Sequence, residues 1–576
     1  MRWTQWTPLA LASLAVIACG SGSGAETGTD SGTAGSTTDG TSAGTTTAGP
    51  GTDGSGTESS GSDTEGATES SGTATTGTET TGTDTETGSD TDTDTDGDPS
   101  APICDPPLDL YDTSSPTATI GAGTPESCTG ADLKAAAEQG GVITFNCGPN
   151  PVTIALNEMI VLPIDRDTII DGGGLITLDA QGQTRHFLFD HPDWMNNPNK
   201  IVLQRLTLIN GSAPLGQHFP QDPNNPNCAY GYKDGSGGVL YVRNGVIHIL
   251  DCEFRDNVAA LEGPDVAGGA IYALGVPEVI ISGSVFRRNR ASNGGAIGML
   301  FANPRIYNSV FEDNTAEGAG ANYVEPGCPN FNHDEQGGAG GNSGAVVFDG
   351  LNDDTWVYEI CGSMFRGNKA NELGGALFRT PNAGVREMLI DRSVFDGNTA
   401  VLGGVSFIKQ NDVTVRGSTF MNNRSGVDVM GNEVGGPLGG LWINEGTVDI
   451  ENSTFVDNQP TGLDAEGGAS TARNVTFVGS RPAGVAVTNS LFVDTSCSSP
   501  LSGSDNLQWP EDAPCVTGIS FADPQVGAVG DNGGPTPTVL PAAGGAVEGV
   551  GVDCPAVDQR GAPRDNASCA AGAVEP

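Results

Sequence analysis

Ser284-Val285-Phe286-Arg287-Arg288-Asn289-Arg290-Ala291-Ser292-Asn293-Gly294-Gly295-Ala296-Ile297 is one copy of a unit that recurs along the chain. The unit is an apolar strand, a turn, Ser-x-Phe-x-x-Asn, and then Gly-Gly-Ala. FxxN stands at Phe254, Phe286, Phe311, Phe365, Phe395, Phe420 and Phe455, with degenerate copies at Phe477 and Phe492. Two residues before the Phe sit Ser284, Ser309, Ser363, Ser393, Ser418, Ser453 and Ser490. Five residues before it sit Ile249, Ile281, Ile306, Ile360, Ile390, Val415 and Ile450. Columns of one residue type at a fixed period mean that each copy occupies the same place in a stack. Short apolar runs punctuated by Gly and Asn read as strands, not helices. The expected fold is all-β, a parallel β-solenoid in which Phe and Ile stack inside and Asn forms an amide ladder at a turn. The Gly-Gly pairs supply a tight bend or a positive φ.

The composition fits. The chain has 576 residues, 86 of them Gly, and a formal charge of −46 from 25 Lys and Arg against 71 Asp and Glu. Few aromatics and few charged helical patterns exclude a helical bundle, and no second long apolar stretch supports a polytopic membrane protein. Such acidity argues against nucleic acid or an anionic bilayer as the primary partner. Twelve Cys point to an oxidising compartment.

Residues 1–18 read as an export signal, with Arg2 as the lone charge and a short apolar run from Leu9 to Ala18. Val16-Ile17-Ala18-Cys19 resembles a bacterial lipobox, which implies lipidation of Cys19 and an N-terminal membrane anchor. Gly20 and Ser21 follow, without the Asp that signals inner-membrane retention in many Gram-negative lipoproteins. The expectation is a cell-envelope lipoprotein on the outer membrane, facing outward or into the periplasm. Residues 19–103 read as a disordered linker. Between 20 and 100 there is no Lys, Arg, aromatic, Leu, Ile or Val, and sixteen residues are acidic. Asp92 to Gly97 copies the start of a calcium loop, but the twelfth position is Ile103, not Glu. A solvated linker is the simpler reading. Calcium is the one cofactor left open.

FxxN alternating with GGA[IL], as at Gly268, Gly294 and Gly374, resembles the repeats of chlamydial polymorphic outer-membrane proteins. Those are surface adhesins with right-handed β-helices. That resemblance implies a right-handed parallel β-helix, a pectin lyase-like solenoid. The C-terminal membrane barrel of that family has no counterpart here. Cys128 through Ile170 resembles the CSLREA-like entry segment of bacterial β-helix surface proteins. Residues 531–541 and 554–576 resemble the choice-of-anchor Q domain, although its usual Cys-Asp-Ile-Gly-Ala ending reads Cys569-Ala570-Ala571-Gly572-Ala573. The expected division is a cap over 104–160 with a helical patch at Ala131 to Gln139, repeats over 161–505, and a second cap over 506–576. Cys128 with Cys147, Cys497 with Cys515 and Cys554 with Cys569 are expected local disulfides. Cys252 replaces a Ser in the inward column and is expected to be buried and free. The pairing of Cys104, Cys228, Cys328 and Cys361 stays open. No Cys set has zinc spacing, so no metal site is expected.

Loop length points to the site. From the coil Asn to the next Gly-Gly the gap is five or six residues in three coils, but 27 from Asn210 to Gly237 and 30 from Asn314 to Gly344. Both inserts leave the same slot, three coils or about 14 Å apart. Long loops on a rigid stack are where binding usually sits. The first carries His218, Asp222, Tyr230, Tyr232, Lys233 and Asp234, and the second Tyr323, Glu325, His333, Asp334 and Glu335. Aromatics with acids and amides suit a carbohydrate. The alternative is that the inserts only shield the stack. Of the polygalacturonase-like set only Asp353-Asp354 is present, with no His-Gly. Phe189-Asp190-His191 resembles a pectate lyase segment, but Pro192 follows where that family has Cys. Asp171 reads as a turn cap. Catalytic residues are not assigned. Three functions stay open: a tethered adhesin or polysaccharide-binding solenoid, a divergent polysaccharide lyase or glycoside hydrolase, and a structural envelope or matrix protein. The partners that follow are a membrane, reached through the lipid, and an extracellular polysaccharide or cell-surface protein.

Overall fold

The computed structural model describes residues 102–576 apart from 214–218, 223–224, 230–231, 262, 264–265, 319–339, 351–354, 382–384 and 437, with no side-chain detail over 219–232. Cys19, the lipobox and the linker up to residue 101 lie outside that range.

Each coil has three faces. The first is a four-residue strand such as Ile271–Leu274, the second a strand such as Glu278–Ser282, and the third a short strand such as Val285–Arg287. Strands pair in parallel with the same face of the coils before and after. Leu240–Ile271–Ile297–Val346–Leu377 runs down the first face. Ile249–Ile281–Ile306–Ile360–Ile390 runs down the second. Phe254–Phe286–Phe311–Phe365–Phe395–Phe420–Phe455 runs down the third. A parallel register repeats one environment every coil, so one residue type solves every copy. The Phe rings stack 4.7–5.0 Å apart, planes within 9° of parallel, inside a continuous core. That spacing is the strand spacing of a sheet.

The polar columns are ladders. Asn257, Asn289, Asn314, Asn368, Asn398, Asn423 and Asn458 are all buried. The Asn314 Nδ2 donates to Asn368 Oδ1 (3.0 Å) and to Phe286 O (2.9 Å), and the Asn314 backbone N–H also donates to Asn368 Oδ1 (3.1 Å). The same bonds recur from Asn257 to Asn423, and at Asn458 the Ser480 hydroxyl takes the place of the next Asn, so the ladder's amides are paired with the coils on either side. The Ser column does likewise: the Ser309 N–H donates to Ser363 Oγ (3.2 Å), and Ser309 Oγ to Tyr307 O (2.8 Å). Cys252 takes one rung of that column and is buried and free.

The Gly-Gly turn has two different requirements. Gly374 has φ +68°, and a Cβ there would lie 2.1 Å from Leu377 O. Gly375 has no such φ, but its Cβ would lie 2.1 Å from Gly404 O in the next coil. The first Gly is needed for conformation and the second for close approach of backbone.

The stack is longer than the expected 161–505. Ala118–Ile120 and Gly141–Phe145 already pair in parallel with each other and with the coil of Ile170. At the other end Leu507–Trp509 and Ser520–Phe521 continue it. Ile120 and Ile143 are buried, so these early segments fill the same inward column although they lack the FxxN signature. The helix Gly130–Ala137 covers this end with Leu133 and Ala137, its N-terminus held by Thr129 Oγ1 accepting from Asp132 N.

Residues 103–113 and 523–576 are therefore not end caps but straps along the side. The first runs down the second face. Cys104 is bridged to Cys361, and its backbone N–H and C=O pair with the Asn308 side-chain amide (3.0 and 2.8 Å). Tyr111 exchanges two hydrogen bonds with the Gln204 amide, and its hydroxyl meets His248 Nδ1 at 2.7 Å. Thr113 Oγ1 donates to Asp171. The second strap lies on the same corner further along. Thr536 Oγ1 donates to Gly417 O, Asn452 Nδ2 to Val557 O, Asn489 Nδ2 to Val552 O, and the Gly572 N–H to Asn489 O. Asn308, Asn452 and Asn489 sit at the left-handed bend between the second and third faces. Asn tolerates that conformation and brings an amide that can hold a passing backbone. Cys128–Cys147, Cys497–Cys515 and Cys554–Cys569 are bridged.

Candidate functional site

With the straps on one corner, the long loops occupy another, between the third and first faces. The slots of the two inserts are linked by the Asn ladder. Gly211 N donates to Asn257 Oδ1, Asn257 to Asn289, and Asn289 to Asn314, which is three steps. The first insert's slot is Gly211, one residue beyond Asn210. Asn210 itself bends left-handed (φ 53°) and turns its amide to Asp179.

Arg185 holds the base of the first insert. Its Nε donates to Gly237 O (2.7 Å), and Nη2 to Ser236 O (2.7 Å) and Lys233 O. The guanidinium lies 5.5 Å over the Tyr241 ring, which stacks on Tyr272. Burial pulls Arg185 down to about 10. It remains charged at neutral pH, and its donors make it a clamp. Lys233 Nζ pairs with Asp190 at 3.0 Å, and Arg243 approaches the same carboxylate at 3.9 Å. Lys233 and Asp234 thus stand at the insert's return, beside the first face. Asp222 and Tyr232 lie in the segments Phe219–Asp222 and Tyr232–Gly235, and the side chains of these two residues are not described. His218, Tyr230, Tyr323, Glu325, His333, Asp334 and Glu335 lie outside the described residues, as do Asp353-Asp354.

A third loop leaves the same corner. Asn423 is followed by fifteen residues before Gly439, and a decoy pair, Gly435-Gly436, hides the length. The loop is self-bonded. Asp428 Oδ1 accepts from the Met430 and Asn432 N–H groups (2.9 and 2.8 Å), Oδ2 accepts from Asn432 Nδ2 (2.9 Å), and Glu433 pairs with Arg424. It presents Met430, 80% exposed, and Val434 to solvent.

Beside this corner the outer side of the first face carries Val347, Phe378, Phe407 and Trp442, packed against Leu373, Leu402 and Leu438 from the turns. The row ends at Asp464, in register with Trp442. Burial pushes the Asp464 carboxyl up to about 6, and the nearby Glu466 adds to the shift. Glu466 follows two residues later on the same outer side and accepts from Asn444 Nδ2 at 3.0 Å.

Other titratable groups are structural. Asp171 accepts from Thr113, Gly173 N, Gln204 and Arg205. Burial alone would raise its pKa, but these donors bring it below the usual range. It caps the turn through Gly173, as its sequence context suggests, and lines a small cavity of about 170 Å³ with Arg205 and Thr144. His186 is buried, held down to about 4, and its Nε2 faces Leu178 O at 3.0 Å. A carbonyl only accepts, so Nε2 carries the proton. His191 accepts through Nδ1 from the Asn244 amide and the Asp193 N–H.

A family model of right-handed beta helix regions matches residues 237–498. Among solved structures, pectate lyase Pel9A is similar at 14% identity, over 74% of this chain and 88% of that one, with a TM-score of 0.26. No curated protein matches the chain. The matched family, the parallel register and the repeating columns agree on the fold, a right-handed parallel β-helix.

Proposed function

We propose that this protein is a polysaccharide-binding solenoid displayed on the bacterial outer membrane through a lipid on Cys19. The observation that carries the reading is the division of labour between corners. Two straps seal one corner, while three loops leave another from equivalent slots. A protein with a purely structural role has no need to put its longest insertions at one corner. The ligand lies across these loops. The aromatic and acidic residues read from the sequence in the two inserts supply its contacts, and Lys233 and Asp234 mark the rim.

A second reading is a polysaccharide lyase or glycoside hydrolase. One observation favours it: burial pushes the Asp464 carboxyl, beside Trp442, up to about 6, so it keeps a proton in mildly acidic solution, with Glu466 two residues away. Residues i and i+2 of a strand lie about 7 Å apart, within the span of an inverting carboxylate pair. The test uses the full chain with Cys19→Ala, so that it stays in solution. It is incubated with neutral and acidic polysaccharides, with and without calcium. Retention without new reducing or unsaturated ends is the expected result. New ends that vanish in Asp464→Asn would replace it with the enzyme reading. Neither retention nor new ends on any polymer would overturn both.

A further inference from the structure

The Cys104–Cys361 disulfide joins residues 257 apart in sequence, the widest span of any disulfide among the described residues. Its position is as informative as its span. Asp171, Gln204, Leu250, Ser282, Tyr307 and Cys361 are register partners on successive coils, so Thr113 and Cys104 contact coils five steps apart. Five steps are about 24 Å. The nine residues from Cys104 to Thr113 reach about 30 Å at full extension. The strap is thus nearly taut along the stack axis, and it runs opposite to the direction in which the coils are laid down. Ile103 is tucked beside Gly362, and its carbonyl accepts from Arg392 Nη1 at 2.9 Å. The described strap therefore begins part-way along the stack, at Ile103, and not at its first coil.

The coil of Phe365, which contains Cys361, lies directly beside the coil of Phe311, from which the second insert leaves. The attachment point of the N-terminal segment and the base of that loop are one hydrogen-bonded step apart, at different corners.

We propose that the Cys104–Cys361 disulfide is a load-bearing clasp. Tension arriving through the residues before 104 passes into the coil of Cys361, and residues 105–360 stay folded and unloaded. Without the clasp the same tension peels the strap from Asn308, then Gln204 and His248, then Asp171, and reaches the first coils. The contacts that remain are hydrogen bonds opened one after another, the weakest way to resist a pull. With it, the path from tether to binding loop crosses a single step of the ladder. The clasp serves the proposed tether and binding corner, but its test depends on neither.

The experiment is single-molecule extension of the full chain with Cys19→Ala, held at its two termini. The oxidised protein should extend by less than the reduced protein by on the order of 90 nm, the length of the 257 residues locked behind the bond. Equal lengths would overturn the clasp. Cys104→Ser should lengthen the trace without reductant, and an unchanged trace in that variant would also overturn it. If Cys104→Ser does not fold, the readout moves to the folded wild type under mild reductant. Backbone hydrogen exchange over 105–113 should then rise while the Asn ladder stays protected. Unchanged protection of the strap would refute the idea. None of these outcomes bears on polysaccharide retention, so the two proposals fail separately.

Discussion

At Asn368 one amide closes four bonds. Nδ2 donates to Asn398 Oδ1 and Phe311 O, while Oδ1 accepts from the Asn314 backbone and side chain. Asn368→Ala leaves two buried Asn314 donors without an acceptor, at about 1–3 kcal/mol for each unmade bond. The expected loss is about 2–6 kcal/mol, read as a lower denaturant midpoint. Asn368→Asp should do worse, because it sets a buried carboxylate against two acceptor oxygens, Phe311 O and Asn398 Oδ1. Cys252 lies one rung into the Ser column, and burial pushes its thiol up to about 12. A thiol reagent at pH 8 should leave it unmodified until the chain unfolds, and native-state labelling would contradict the buried assignment. Both residues were legible in the sequence because a column of identical residues is a statement about environment. Asp464 was not. In a chain with 71 acids a carboxylate is no signal, and only its burial beside Trp442 singles it out. Its folded pKa is about 6, above the unfolded carboxylate value near 3.9. The folded state then binds more protons between those values, so stability falls as pH rises from about 4 to about 6. Asp464→Asn should match the wild type near pH 4 and exceed it at pH 7.5. Equal pH profiles would mean that the carboxyl is ordinarily solvated.

Elements differ in how far their sequence betrays them. The FxxN and Gly-Gly units are read directly, because a parallel register repeats every contact. The straps are not, since they pair with the stack through single side chains such as Asn308 and Gln559, and no period marks them. The early coils from Ala118 lack the Phe and Asn columns and look like a cap until Ile120 and Ile143 are seen inside. Two Gly positions separate conformation from contact. Gly375→Ala places a Cβ 2.1 Å from Gly404 O, so the next coil must move and the ladder around it opens. Gly431 in the third loop has φ +84° and nothing within 4 Å, so Gly431→Ala costs only the left-handed backbone, about 1–2 kcal/mol locally. Thermal melts should show Gly375→Ala strongly destabilised and Gly431→Ala close to wild type.

Over the whole molecule charge decides which polymers can approach. The sixteen acids of residues 20–100, with Arg2, account for −15 of the −46, which leaves −31 on residues 101–576. That folded part spends much of its basic content on pairs within the stack, such as Arg287 with Glu312 and Arg288 with Asp256. An anionic polysaccharide therefore meets net repulsion over the Debye length, about 8 Å at physiological ionic strength. A neutral polysaccharide meets none, and its binding rests on apolar faces and hydrogen bonds that salt hardly touches. Retention of a neutral glucan by the Cys19→Ala chain should thus stay constant between low and high salt. Retention of polygalacturonate should be weak at low salt and rise with added calcium, which bridges carboxylates on both sides, or with salt that screens them. If polygalacturonate instead binds best at low salt without calcium, a basic surface must exist at the loop corner. The first place to look would be Lys233 and Arg243 around Asp190.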